Sequence, residues 1–209
     1  MIKGVSGVPG SGKTYYVVQE IASKYFTFSK EYSEWIPKDK EKPVTIITNI
    51  SEFKLNSIKI EDLLMEYQVD IETFLTVPFF EKNLLPKYGR IVLLLDEVQR
   101  IIPSNFRNND VLYFFQYHRH LGIDIYMTYQ TWASVSRKVT DLMEFEIRAT
   151  RNSLKIANEF RYSFYCGMDK IGGTIKKQNK MIFPLYKSFQ LDSTEKPLKP
   201  VRSLLILVV

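Results

Sequence analysis

Near its start the chain reads Gly7-Val8-Pro9-Gly10-Ser11-Gly12-Lys13-Thr14. Two glycines separated by four residues and followed by Lys and Thr make the G-x-x-x-x-G-K-[ST] phosphate-loop pattern. No other feature restricts the fold as much. The loop works only between a buried strand and the start of a helix, because its backbone N–H groups and the helix N-terminus must surround phosphate oxygens. The neighbouring residues comply. Ile2 to Ser6 is an apolar run of strand length, and Tyr16, Val17, Ile21 and Ala22 recur at helical spacing. The pattern predicts a bound nucleotide with Gly7, Val8, Pro9, Gly10, Ser11, Gly12, Lys13, Thr14 and Tyr15 around its phosphates. Lys13 is expected to neutralise the β- and γ-phosphates, and the Thr14 hydroxyl to ligate Mg²⁺.

A phosphate loop alone fits a kinase, a GTP switch, a helicase or a motor. The segment "RIVLLLDEVQR" narrows the choice. An unbroken apolar run reads as a strand buried on both faces. It ends in Asp96, the expected second holder of the Mg²⁺ shell. Glu97 follows directly, where a carboxylate can polarise a water for attack on the γ-phosphate. Many small-molecule kinases lack that second acid, so hydrolysis is favoured over transfer. Gln130, ending the next strand, is a candidate to hydrogen-bond the γ-phosphate or the attacking water. Arg119, expected near the nucleotide edge, is a candidate to act across a subunit interface on the developing phosphate charge. His118 and His120, two apart on a helix, do not share a face and make poor joint metal ligands.

"VTIITNI" and "IDIYMTYQ" read as further strands, and 109–121 as a helix stopped at Gly122. "SVSRKVTDLMEF" reads as helical. Residues 51–90 form a connecting layer in which "KIEDLLMEY" and "DIETFLTVPFF" have helical character. After Glu146 the style changes: "EIRATRNS", "EFRYSFYCG" and "KMIFPLYKSFQ" look like strands separated by turn signals. The expected fold is an α/β parallel core to about Phe145, followed by an antiparallel extension.

The 209 residues, 45% of them hydrophobic, suffice for one core. The formal charge of +6 suits nucleic acid or an anionic membrane surface, without a dense Arg/Lys run. The single cysteine, Cys166, excludes an intramolecular disulfide and fits a reducing compartment. No apolar h-region follows Met1-Ile2-Lys3, so the N-terminal part is expected in the cytoplasm. The end is different: Lys196, Lys199 and Arg202 precede an apolar run, Leu204 to Val209. That run fits either a last core strand or the first turns of a membrane helix with its cations on the cytoplasmic side. Division into a cytoplasmic phosphate-loop ATPase domain, 1–195, and a basic juxtamembrane linker with the start of a transmembrane helix, 196–209, follows the second reading.

Taken together, "GVPGSGKTYYVV", "TIITNI", "LLLDEVQ", "HRHLGIDIYMTYQ" and "PLYKSFQLDST" resemble the N-terminal ATPase domain of the zonular occludens toxin (Zot) family, which includes the gene I assembly proteins of filamentous phages. The resemblance spans nearly the whole chain. It implies a RecA-like domain related to FtsK/HerA motors, using ATP and Mg²⁺. It implies a protein of the host bacterial inner membrane with this domain in the cytoplasm and a single span after it. Its implied task is assembly and extrusion of filamentous virions, as a homo-oligomeric ring. Implied partners are the phage single-stranded DNA complex, the coat protein and outer-membrane or periplasmic secretion components. Family members often carry an acid and an Arg where this chain has Ser136 and Thr140. A trans-acting arginine must then come from elsewhere, such as Arg119, Arg148 or Arg151. A phosphotransferase and an effector acting on host cell junctions are the alternative functions.

Overall fold

The computed structural model describes residues 1–143, 145–150 and 159–187. The elements run β1 (Ile2–Ser6), α1 (Lys13–Tyr25), β2 (Phe26–Ser29), β3 (Glu34–Pro37), β4 (Thr45–Thr48) and β5 (Ser57–Lys59). Then come α2 (Ile60–Tyr67), α3 (Ile71–Phe74), α4 (Val77–Phe79), α5 (Leu85–Tyr88), β6 (Ile91–Leu95) and α6 (Asn109–Tyr117). β7 (Asp124–Tyr129), α7 (Arg137–Thr140), β8 (Glu146–Thr150), β9 (Glu159–Cys166) and β10 (Asp169–Lys177) complete the order. Eight strands form one sheet in the order β10-β9-β8-β1-β7-β6-β4-β5. From β5 to β8 every pairing is parallel; β8–β9 and β9–β10 are antiparallel.

Strand alternation divides the interior into two cores. Ile91, Leu93 and Leu95 of β6, with Ile125, Met127 and Tyr129 of β7, face α4 and α6. Val92, Leu94 and Tyr126 face the other way, onto α1 and the β2–β3 hairpin. Central strands apolar on both faces need cover on both, and the α/β crossovers supply it.

Four sequence expectations are corrected. The parallel core does not stop at Phe145: β8 pairs parallel with β1, Ser6 opposite Arg148, so the antiparallel extension begins at β9. "KMIFPLYKSFQ" is not a strand over its described part. Phe183–Leu185 is a 3₁₀ turn with Pro184 near its start, and only Tyr186 bridges to Phe53. Over its described residues "SVSRKVTDLMEF" has one α-helical turn, α7. The helix of 109–121 ends at Tyr117, and Gly122 takes φ 68 where the chain turns into β7. The β2–β3 hairpin has no counterpart in the expectation. The boundary at 195 and 196 and the apolar run beyond it lie outside the described residues.

Candidate nucleotide-binding site

The C-terminal ends of the parallel strands β1, β6 and β7 come out at one edge of the sheet. This edge gathers residues that are far apart in sequence. Gly7 follows β1, Asp96 and Glu97 follow β6, and Gln130 follows β7.

The loop is shaped by its neighbours. Gly7 has φ 148 and donates its N–H to the Gln130 carbonyl at 3.1 Å. A Cβ there would lie 2.4 Å from the Ala149 carbonyl oxygen of β8. Gly12 has φ 91, and a Cβ would meet the Phe160 ring at 2.5 Å. Both positions therefore exclude a side chain twice over, by backbone conformation and by space. Gly12 is also the N-cap of α1, which has no side-chain cap and no acid in its first turn. Its leading N–H groups and positive dipole end are thus left for an anion. Ser11 Oγ is buried and has no hydrogen-bond partner among the described residues. Val8, Pro9 and Gly10 form the exposed crest.

Lys13 lies over this loop, buried, with Nζ donating to the Val8 carbonyl at 3.3 Å. Burial lowers its pKa, and the carboxylates of Asp96 and Glu97 oppose that shift. Thr14 Oγ1 donates to Asp96 Oδ1 at 3.0 Å, so the loop hydroxyl and the strand-end carboxylate share one spot. Burial raises the Asp96 pKa, against hydrogen bonds from Thr128 and Thr14. The two oxygens suit a hard cation such as Mg²⁺, and the open helix end and orphaned Ser11 hydroxyl suit phosphate.

Two residues that sequence reasoning missed hold this corner. Asn49, just past β4, donates through Nδ2 to the Asp96 carbonyl at 2.8 Å and accepts the Asp96 N–H through Oδ1 at 2.7 Å. Thr128 of β7 donates to Asp96 Oδ1 at 2.6 Å and accepts the Glu97 N–H at 3.0 Å. Glu97 itself sits at φ 51 and ψ 47, a left-handed conformation that is uncommon for a residue with a side chain. An Asn closing "TIITNI" is a visible signal; that β4 lies beside β6 is not.

Other expected residues separate. Gln130 is beside the loop through its carbonyl, with an exposed side chain. Tyr15 turns its ring into the core, donating to the Lys177 carbonyl at 3.2 Å and accepting the Asn179 N–H at 2.7 Å, so only its backbone faces the loop region. Arg119 is not near the nucleotide edge of its own chain. It precedes β7, whose far end carries Gln130, and a six-residue strand spans about 20 Å. His118 is buried and His120 exposed, so they do not converge. Arg148 is beside β1, its Nε paired with Glu146 at 2.7 Å and its guanidinium 3.9 Å from the Tyr165 ring. Arg151 lies outside the described residues.

A parallel sheet with a phosphate loop after β1 and an Asp-Glu pair after the strand two places away defines the phosphate-loop NTPase fold. Within that class the chain belongs to the zonular occludens toxin (Zot) family, whose family model matches residues 1–192. The N-terminal domain of zonular occludens toxin from Neisseria meningitidis superposes with a TM-score of 0.65 at 20% identity, over 89% of this chain and 98% of that one. The genome packaging NTPase B204 from Sulfolobus turreted icosahedral virus 2, solved in complex with ATP-gammaS, gives a TM-score of 0.50 at 17% identity, over 85% and 96%. At these identities the likeness concerns the fold. No curated protein matches the sequence. Among the described residues no helix is long and apolar enough to cross a membrane.

Proposed function

We propose that the chain is a Mg²⁺-dependent ATP hydrolase that drives assembly and extrusion of filamentous phage particles. The observation that carries the chemistry is the meeting of Thr14 with Asp96 at 3.0 Å, with Lys13 over the loop and Glu97 next in the chain. Membership of the Zot family supports the phage setting.

In this reading the loop N–H groups and Lys13 hold the triphosphate. Thr14 and Asp96 would hold Mg²⁺, which when bound supplies positive charge against the developing charge on the β- and γ-oxygens. Glu97 orients a water and takes its proton. Gln130 is the residue at the loop edge suited to report the γ-phosphate. Arg119, at the opposite edge, reaches a nucleotide only on a neighbouring copy, which agrees with a ring of subunits. The working partners in this proposal are the phage single-stranded DNA complex, coat protein and secretion components at the host inner membrane.

The test has two parts. Purified protein is expected to release phosphate from ATP with Mg²⁺ and no acceptor, and Glu97→Gln to stop it. In infected cells supplied with the Glu97→Gln chain, particle release is expected to fall while viral DNA still accumulates. Turnover that requires an added acceptor would turn the reading to a phosphotransferase. Unchanged particle release with an inactive enzyme would remove the extrusion role.

A further inference from the structure

Glu97 has a second partner within its own turn. After β6 the chain makes one 3₁₀ turn, Val98–Arg100, with the Arg100 N–H bonded to the Glu97 carbonyl at 2.9 Å. That turn returns the Arg100 side chain to the Glu97 carboxylate, Nη2 to Oε2 at 2.8 Å. The pair lines a small cleft of about 50 Å³ with Asn49, Ile50, Asp96 and Lys187. Asn49 and Thr128 fix the backbone at 96 and 97, so only the side-chain torsions of Glu97 are left to change its partner.

We infer that Arg100 is a positioning residue that holds Glu97 in a resting state, and that this ion pair opens before hydrolysis. The inference rests on Glu97 being the base for water. A carboxylate that accepts from a guanidinium has committed an acceptor oxygen and a favourable charge contact. It must exchange them before it can take a proton from water. The exchange is easy here, because the Arg100 side chain is 74% exposed and that of Glu97 24%. Solvent screens such a pair, so the resting hold is weak and its removal changes rate by a small factor.

The experiment measures ATP turnover by the full chain at its most active concentration. Arg100→Met is expected to raise kcat about two- to fivefold, with KM for ATP unchanged. Arg100→Lys keeps the cation and is expected to stay near the starting rate. Glu97→Gln/Arg100→Met is expected to be as inactive as Glu97→Gln alone. An unchanged kcat in Arg100→Met overturns the hold; a lower one shows that Arg100 assists the reaction instead. If Glu97→Gln alone keeps full turnover, the base assignment has failed, whatever Arg100 does. A readout without turnover comes from NMR of the nucleotide-free protein. The Arg100 guanidinium nitrogens are expected to show restricted rotation that Glu97→Gln releases, and no change between the two would overturn the pairing.

Discussion

At the scale of single residues the two neighbours Lys13 and Glu97 separate binding from chemistry. Lys13 is the buried cation over the loop, and its removal takes away a charge-assisted contact to phosphate. Lys13→Ala is expected to weaken nucleotide binding by about ten- to a hundredfold, read by calorimetry or a fluorescent analogue. Glu97→Gln should bind as before and lose about a hundred- to ten-thousandfold in kcat. Equal binding losses in both would take Glu97 out of the catalytic role. Asp124, at the other end of the sheet, is a residue of stability. Burial pushes its pKa up, but hydrogen bonds from Tyr25, Lys24 and the N-terminal ammonium outweigh this and hold it at about 2. A folded pKa below the unfolded one means stabilisation that is present above about pH 4 and disappears as pH falls through about 2. After allowance for solvent screening, Asp124→Asn should cost about 1–2 kcal/mol at neutral pH. Denaturant titrations should show that gap closing near pH 2; a gap independent of pH would mean the carboxylate charge is not its source.

At the scale of elements the β9–β10 hairpin matters because it packs against the phosphate loop. Phe160 lies where a Cβ on Gly12 would be, and the buried Tyr162 hydroxyl donates to the Gly12 carbonyl at 2.9 Å. The Tyr15 ring is 5.0 Å from that of Phe160, joining the hairpin to the first turn of α1. Tyr162→Phe should cost about 1 kcal/mol of stability, one net hydrogen bond. Phe160→Ala should cost about 1–3 kcal/mol, less than a full core truncation because the ring is half-buried. Both are expected to weaken nucleotide binding, since they loosen the N-cap of α1. Loss of stability with unchanged affinity would show that the hairpin supports the fold and not the loop.

At the scale of the whole molecule, the expected trans site has a geometric reason. The loop occupies one edge of the parallel sheet and Arg119 the other, so one copy cannot bring its own Arg119 to its own phosphates. Hydrolysis per chain is therefore expected to rise with protein concentration and to fall in Arg119→Ala without loss of binding. Steady-state rates across a dilution series, with sedimentation to follow assembly, would check this. A specific activity that stays flat in dilute monomer would argue against a shared site.

What the sequence determined by itself was local chemistry. The loop glycines, Lys13 and Thr14 lie within one turn of chain, and the strand-loop-helix setting is written in apolar spacing around them. Asp96-Glu97 was legible because a buried strand ending in two acids is a short-range pattern. The sequence also showed five of the six parallel strands, β1, β4, β6, β7 and β8, as runs of β-branched and aliphatic residues, though neither β5 nor the order in which the strands pair. Only the tertiary structure decided which strand ends meet. It put Asn49 and Thr128 on Asp96, moved β8 into the parallel sheet, and sent Arg119 to the far edge. It also seated Phe160 and Tyr162 against Gly12, some 150 residues away. Such contacts depend on strand order and register, which hydrogen bonding between distant segments sets. Residue type and spacing carry periodicity along one element but no address for its neighbour.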